Sequence, residues 1–265
     1  MNFSEQTILG RTGLKVGRLG ISSSYGAPVE AFEEAFERGC NYFTWGTFIK
    51  GRSDKMKTAI KNIIAQGKRD QLVLAMFTYA HSALLSNFFI PRGLRSLGTD
   101  YVDVLLLGYY SSRPRQSVLD GALKLKERGL VRHIGLSTHN RKLVPELMKE
   151  GIIDVFHIRY NPVHRGAEKD IFPFIPEKDR PGIVNFTSTN WGSLLDAKKM
   201  PKGEAPLSAA DCYRFALSNP AVDICMTGTK TIEQMRENLK ALDMGKLSDI
   251  EIERMVRIGN HQYKK

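Results

Sequence analysis

Short apolar segments, each long enough for one buried β-strand, alternate along the chain with segments of helical periodicity. Residues 101–107 (YVDVLLL) and 182–187 (GIVNFT) are two of them. Apolar runs of this length are typical of a parallel sheet that is covered on both faces, because neither face meets water. Eight such strands, each followed by a helix, within 265 residues predict an α/β fold, a (β/α)8 barrel that occupies residues 1–265 as one domain.

The elements of this barrel can be assigned along the chain. Predicted strands lie at 18–21, 40–44, 71–76, 101–107, 131–136, 153–158, 182–187 and 221–226. Predicted helices lie at 28–38, 53–66, 82–97, 115–128, 140–149, 207–218 and 231–242, and a short helix plus loop follows the sixth strand. A short N-terminal β-hairpin within 7–21 precedes the barrel, and a C-terminal helix at about 247–259 follows it. The alternative is an open doubly wound sheet, but the serines at 22–24 are not the glycine-rich turn of its dinucleotide site.

The charge and the cysteine content limit which cellular compartment and which binding partners we expect. The net charge is +11, but lysine and arginine are dispersed and no nucleic-acid motif is present, so we expect a solvated basic surface or an anionic cofactor rather than nucleic acid. The three cysteines, Cys40, Cys212 and Cys225, are far apart and odd in number, which favours a reducing cytoplasm over a disulfide framework or a metal knuckle. No apolar run has the length of a signal peptide or a membrane span.

The end of the second barrel strand is the segment where chemistry is expected, because barrel sites form at the carboxyl ends of the strands. Residues 42–44 are aromatic or β-branched, the strand breaks at Gly46, and a helix restarts at Ser53. Thr44, Ile49 and Lys50 therefore occupy this strand end and its loop.

Five stretches resemble the aldo-keto reductase family, in order and with matching spacing over nearly the whole chain. They are residues 9–14 (LGRTGL) with Gly20 beyond them, 51–54 (GRSD), 100–107 (DYVDVLLL), 132–137 (RHIGLS) and 226–239 (MTGTKTIEQMRENL). The resemblance implies a barrel that reduces aldehydes and ketones with NADPH. It also implies a proton relay of Asp, Tyr, Lys and His, in which the tyrosine protonates the carbonyl oxygen.

The chain departs from the family pattern at all four relay positions. The Asp falls on Thr44, the Tyr on Ile49 (Phe48 if the loop is shifted by one), the Lys on Phe77 and the His on Gly108. None of these replacements ionises near neutral pH, so we predict that the usual relay cannot form.

The residues at the family's cofactor-binding positions match the family pattern better than those at the relay positions. By resemblance, the adenosine 2′-phosphate and adenine would be held by Gly228, Thr229, Lys230, Gln234 and Asn238, at a helix start that suits an anion. Around the nicotinamide the resemblance points to Ser137, Thr138, His157 and Thr187, of which only Ser137 is the usual residue.

A replacement proton donor can be sought among polar residues near the strand ends. Tyr109, His157 and Tyr25 are the candidates, and Tyr79, Tyr110, His81, His139 and Lys50 lie on the same face. The alternative is that these side chains only pack around the barrel mouth. His133 and His139 have no cysteine or carboxylate at ligand spacing, so no metal site is predicted.

Two hypotheses of function follow. The first is an NADP(H)-binding oxidoreductase with altered chemistry on a small carbonyl or related molecule. The second is a catalytically inactive pseudoenzyme that acts as a nucleotide sensor or a partner-binding module. Neither the oligomeric state nor the substrate can be deduced from the sequence.

Overall fold

The computed structural model describes residues 2–46, 53–79 and 82–263. Eight parallel strands of these residues form a closed barrel. The strands are β3 (Leu19–Ser22), β4 (Tyr42–Trp45), β5 (Val73–Thr78), β6 (Val102–Leu107), β7 (Val131–Thr138), β8 (Val155–Arg159), β9 (Gly182–Phe186) and β10 (Ile224–Thr227). Their order around the barrel is β10-β3-β4-β5-β6-β7-β8-β9. The (β/α)8 barrel predicted from the sequence is confirmed.

Helices surround the barrel, as the alternation of elements predicts. They are α1 (Val29–Glu37), α2 (Asp54–Ala65), α3 (Ala83–Leu97), α4 (Gln116–Glu127), α5 (Leu143–Glu150), α6 (Ala167–Asp170), α7 (Ala209–Ser218), α8 (Ile232–Asp243) and α9 (Asp249–Tyr263). The larger apolar cluster fills the layer between helices and strands, with residues such as Phe32, Ile60 and Leu119. A smaller cluster fills the barrel interior and includes Tyr42, Val104 and Val155.

The N-terminal hairpin consists of β1 (Thr7–Ile8) and β2 (Lys15–Val16), paired antiparallel. Leu9 and Val16 are fully buried in the interior cluster, so the hairpin contributes apolar side chains to the inside of the barrel. Gly10 has a φ of 47°, and a Cβ there would overlap the backbone of residues 180–182. Glycine is therefore required for this close approach.

Three carboxylates fasten neighbouring strands near their amino ends. Asp103 accepts a hydrogen bond from Leu74 N, Asp154 from Ile134 N and Asp223 from Ile183 N, at 2.8–3.0 Å. Each carboxylate also forms salt bridges. Asp103 pairs with Arg69 and Arg132, Asp154 with Arg11 and Lys126, and Asp223 with Arg180. Buried carboxylates require such partners, because an uncompensated charge is costly in the protein interior.

Three predicted boundaries shift by three or more residues. Helix α9 extends to Tyr263 rather than to about 259, and local hydrogen bonds explain the other two shifts. Helix α5 begins at Leu143 rather than 140, because the side chains of Thr138 and Asn140 accept hydrogen bonds from Asn140 N and Lys142 N and hold a turn. Strand β10 begins at Ile224 rather than 221, since Asn219 Oδ1 accepts from Ala221 N in the preceding turn. In the parts of the chain that the structure describes, none of the helices has the length and apolarity needed to cross a membrane.

Candidate functional site

A cavity of about 1050 Å³ opens at the carboxyl ends of the barrel strands. Side chains at the ends of six different strands line it: Thr44, Phe77, Ser137, His157, Phe186 and Thr227. This is the face at which barrel folds place their active sites. The volume lies near the upper end of the range for small-molecule sites, so an elongated ligand can be accommodated.

Three of the four relay positions lie at this strand-end face, and none carries an ionisable side chain. Thr44 is buried, and its hydroxyl donates to Ile21 O at 3.4 Å. The Phe77 ring packs on Tyr79, with centroids 4.8 Å apart, and lies directly against Gly108. A Cβ on Gly108 would overlap Phe77 Cε1 and would lie 2.8 Å from Cζ. The fourth position, Ile49, lies outside the described residues, as do Phe48, Lys50 and His81.

Phe77 therefore fills the space that a side chain at position 108 would need. Real Cβ atoms do not come this close to aromatic carbons, so the two positions constrain each other. The apolar ring and the bare glycine form one packing unit at the place where the family pattern has a lysine and a histidine.

A buried pair of polar side chains lies at the cavity floor. Tyr42, on β4, and His157, on β8, project into the barrel interior, and Tyr42 Oη lies 2.9 Å from His157 Nε2. Tyr42 is fully buried, whereas His157 retains a 3% exposed fraction and lines the cavity. Burial raises the pKa of the Tyr42 hydroxyl and lowers that of His157 to about 3, so both groups are neutral near pH 7.

The hydrogen bond between these two residues fixes the tautomer of the imidazole. Within the described residues, Tyr42 Oη has no acceptor other than His157 Nε2, and a buried hydroxyl proton needs an acceptor. Tyr42 therefore donates to Nε2, and the single proton of the neutral ring resides on Nδ1. His157 thus has one N–H donor available for another group.

The other two candidate proton donors lie at the rim of the cavity. Tyr25 has a 47% exposed fraction, and its ring packs on Gly228, where a Cβ would clash with it. Tyr109 has a 68% exposed fraction and a φ of 64°, and its ring meets that of His139 at a centroid distance of 5.8 Å. Both line the same cavity as His157.

The opposite end of the cavity is formed by the start of α8. Thr231 caps this helix, since its side chain accepts from Gln234 N at 3.2 Å, and Gln234 Oε1 in return accepts from Lys230 N at 2.9 Å. These reciprocal bonds fix the loop before the helix. Lys230 is exposed and forms no ion pair with any residue that the structure describes.

Thr229 in this loop has an unsatisfied hydroxyl. Its side chain has a 3% exposed fraction and lines the cavity, yet Oγ1 has no hydrogen-bond partner in the described part of the chain. Buried hydroxyls are rarely left unpaired, because this costs about 1–3 kcal/mol. A polar ligand atom at this end of the cavity would supply the missing partner.

The remaining predicted cofactor residues fall into two groups. Ser137, His157, Thr187, Gly228, Thr229, Lys230, Gln234 and Asn238 all line the cavity. Thr138 is not among the lining residues: its hydroxyl donates to Tyr110 O at 2.6 Å and accepts from Asn140 N. The amide nitrogen of Asn238 donates to Thr227 Oγ1 at 2.6 Å, so that part of the side chain supports the strand end.

Two of the residues that shape the site could not be identified from the sequence pattern alone. Phe186, next to the predicted Thr187, is one of the aromatic residues that line the cavity, while Thr187 adopts a φ of 64° and its carbonyl accepts from Asn161 Nδ2. Tyr42 is the partner of His157. The two-residue periodicity of strands was the available signal, because it places Tyr42 on the same inner face as Thr44.

Within residues 2–46, 53–79 and 82–263, no group of three or more histidine, cysteine, aspartate or glutamate side chains is placed to hold a metal ion.

The sequence profile of the Aldo/keto reductase family matches residues 16–211, most of the barrel described above. The chain belongs to the aldo/keto reductase family. It is 22% identical over 277 residues to the uncharacterized oxidoreductase YqkF of Bacillus subtilis (strain 168), covering 89% of each chain. It is 25% identical over 313 residues to the uncharacterized oxidoreductase YrpG of the same organism, covering 95% of this chain and 94% of the relative.

The solved structures agree on the fold. The holo form of aldo-keto reductase AKR11C1 from Bacillus halodurans superposes with a TM-score of 0.81 at 18% sequence identity, covering 98% of this chain and 99% of that one. The chain is thus an aldo-keto-reductase-like oxidoreductase by family, with the barrel that the family resemblance implies.

Proposed function

We propose that this aldo-keto-reductase-like protein binds NADP(H) in the cavity at the carboxyl ends of the strands and acts on a small carbonyl or related molecule without the family's proton relay. The observation that carries the nucleotide part is the buried Thr229 hydroxyl beside the start of α8, which, like the cation of Lys230, has no partner among the residues that the structure describes. A helix start with backbone N–H groups, a hydroxyl and a lysine matches the phosphate of a nucleotide.

The lining of the cavity supports the assignment of its two ends. Lys230, Thr229 and Gln234 would hold the phosphorylated adenosine end, and Ser137 with the Phe186 ring would hold the nicotinamide end. NADPH, when held by these residues, would supply the hydride for a carbonyl reduction. NADP rather than NAD is proposed because Lys230 pairs with no carboxylate of residues 2–46, 53–79 and 82–263, and a 2′-phosphate would provide a negative charge for it.

His157 is the residue that we assign to the carbonyl oxygen. Its pKa of about 3 keeps the ring neutral, and the hydrogen bond from Tyr42 leaves the proton on Nδ1. A neutral imidazole N–H can stabilise negative charge that develops on an oxygen as hydride is added, and solvent water would then supply the proton that completes the alcohol. This assistance is weaker than protonation by a relay tyrosine, so we expect slow turnover.

The pseudoenzyme alternative is favoured by one specific observation. Phe77 and Gly108 pack as a unit where the family pattern places a lysine and a histidine, and Thr44 replaces the aspartate. In that alternative the nucleotide is bound but not turned over, and the barrel acts as a nucleotide sensor or a partner-binding module.

Consumption of NADPH in the presence of aldehydes and ketones separates the two functions. We expect slow oxidation of NADPH that His157→Gln reduces, with nucleotide binding retained. Complete absence of turnover with binding intact would exclude the carbonyl-reductase function. In the pseudoenzyme case, the combined variant Thr44→Asp, Ile49→Tyr, Phe77→Lys and Gly108→His should create an activity that the unmodified protein lacks.

We also propose that the protein works in the cytoplasm on small molecules and not on nucleic acid or membranes. Cys40, Cys212 and Cys225 are free and buried, which is compatible with a reducing compartment.

A further inference from the structure

The long loop between β9 and α7 begins at the mouth of the cavity. Residues 187–192, which directly follow β9, form what we call the mouth turn, and five of them line the cavity: Thr187, Ser188, Thr189, Trp191 and Gly192. Strand β9 is the neighbour of β10, which leads into the loop that contains Thr229. A nucleotide that spans the two ends of the cavity assigned above would therefore pass beside the mouth turn.

The backbone of the mouth turn is strained. Thr187, Asn190 and Trp191 have φ angles of 64°, 49° and 53°, in the left-handed region that residues other than glycine seldom occupy. A hydrogen bond from Asn190 N to Thr187 O, at 3.0 Å, closes the turn. The Trp191 side chain lines the cavity although it has a 66% exposed fraction. A strained segment of this kind persists only where its surroundings hold it in place.

The last turn of α9 provides such a contact from outside the barrel. Ser193, the residue after the mouth turn, donates from Oγ to Gln262 Oε1 at 2.9 Å. Gln262 Nε2 in return donates to Ser193 O at 3.0 Å. Because a carbonyl oxygen only accepts hydrogen bonds, this pair fixes the orientation of the Gln262 amide. Two reciprocal bonds therefore join α9 to the strained turn.

The far end of the same loop is also attached to α9. Glu204 accepts hydrogen bonds from Arg254 Nε at 3.0 Å and from Arg257 at 2.6 Å. Helix α9 thus holds the loop at two points. Of these, the contact between Ser193 and Gln262 is the one next to residues that line the cavity.

We propose that α9 clamps the mouth turn through Gln262, and that Gln262 is a positioning residue that slows the release of a nucleotide from the cavity. This inference rests on the proposed function, because the nucleotide is the ligand assigned there. Gln262 is not among the residues that line the cavity, so it acts only through Ser193 and the mouth turn. Without its two hydrogen bonds, the strained turn and Trp191 can relax away from the ligand.

The rate at which the full chain releases NADPH tests the proposal. Protein loaded with NADPH is mixed rapidly with an excess of NADP⁺, and the change in NADPH fluorescence is followed. Gln262→Met keeps the length of the side chain and removes both hydrogen bonds, so it should raise the dissociation rate about tenfold. Ser193→Ala removes only one of the two bonds and should raise the rate less.

Two further variants separate the clamp from a general effect on α9. Asn260→Ala is the matched control, because Asn260 accepts a hydrogen bond from Arg165 at 2.9 Å on the same helix but makes none with the mouth turn. Its release rate should equal that of the wild type. The double variant Ser193→Ala, Gln262→Met should release NADPH no faster than Gln262→Met, since both residues act through one contact.

Trypsin cleavage of the free protein measures the hold on the loop without nucleotide. Lys198 and Lys199 are exposed within the loop. Both should be cut faster in Gln262→Met than in the wild type or in Asn260→Ala, because an exposed segment is cleaved more readily when fewer contacts hold it.

Unchanged NADPH release from Gln262→Met, or equal acceleration in Asn260→Ala, would overturn the proposal. Faster trypsin cleavage of Gln262→Met with unchanged release would do so as well, because Gln262 would then only support the loop. If the wild type fails to bind NADPH, the proposed function is refuted and this role of Gln262 with it. If NADPH binds and Gln262→Met releases it at the wild-type rate, the role of Gln262 alone is refuted.

Discussion

Replacing Gly108 by alanine should destabilise the protein only while Phe77 is present. Gly108 lies outside the left-handed backbone region, so the added methyl meets no conformational barrier of its own. Its position would overlap Phe77 Cε1 and lie 2.8 Å and 2.9 Å from Cζ and Cδ1. Overpacking of this kind costs about 1–3 kcal/mol.

The Phe77→Ala background removes this clash. Gly108→Ala should then be neutral or stabilising by about 0.4–1 kcal/mol, because alanine reduces the conformational freedom of the unfolded chain. The predicted coupling energy between the two positions is therefore about 1–4 kcal/mol, at or slightly above the usual range for residues in contact.

Chemical unfolding of the wild type, the two single variants and the double variant measures this coupling. If thermal unfolding is followed instead, a change of 1 kcal/mol in the free energy of unfolding corresponds to about 2–4 °C in the thermal midpoint of a domain of nearly this size. The same loss from Gly108→Ala in both backgrounds would show that Phe77 does not occupy the space at position 108. In that case, Phe77→Lys and Gly108→His would not have to be introduced together, because Phe77 would not exclude a side chain at position 108.

Two further predictions concern other parts of the molecule. Thr229→Val keeps the shape and removes the unpaired hydroxyl, so the free protein should gain about 1 kcal/mol in its free energy of unfolding while its affinity for NADPH falls about tenfold. Thermal unfolding and a nucleotide titration check this, and a less stable variant with unchanged affinity would contradict it. Burial raises the pKa of Asp154, but the nearby imidazole of His133, the hydrogen bond from Ile134 N and the charge of Lys126 outweigh it and lower the pKa to about 2. This carboxylate therefore contributes stability above its ordinary pKa near 3.8, and the contribution, about 2 kcal/mol, should be lost as the pH falls from 5 to 2. Urea unfolding across that range should show the loss in wild type and much less of it in Asp154→Asn; equal pH dependence of the two proteins would refute the assignment.

The barrel was predictable from the sequence because its strands are buried on both faces. Runs such as residues 102–107 do not alternate regularly between polar and apolar residues, and this distinguishes them from the strands of a half-exposed sheet. Two of the boundaries that moved are those where a side chain competes with the backbone for hydrogen bonds, as Asn140 does before α5. Such local bonds depend on geometry that periodicity alone does not encode.

The site was predictable only in part. The loop before α8 was identified because its residues are contiguous in the sequence, and the structure places Thr229, Lys230 and Gln234 together along the cavity. The contact between Tyr42 and His157 joins strands 115 residues apart, and the packing of Phe77 on Gly108 likewise depends on the pairing of β5 with β6. Long-range pairs of this kind follow from strand register, which the sequence does not state residue by residue.

The central claim is that this barrel retains a site for NADP(H) although its relay positions carry no ionisable group. Calorimetric titration of the full chain with NADPH and NADH tests it most directly, with Lys230→Met as the matched variant. We predict that NADPH binds at least about tenfold more tightly than NADH to the wild type, and that Lys230→Met removes the difference. Absence of NADPH binding, or equal affinities that Lys230→Met leaves unchanged, would contradict the account.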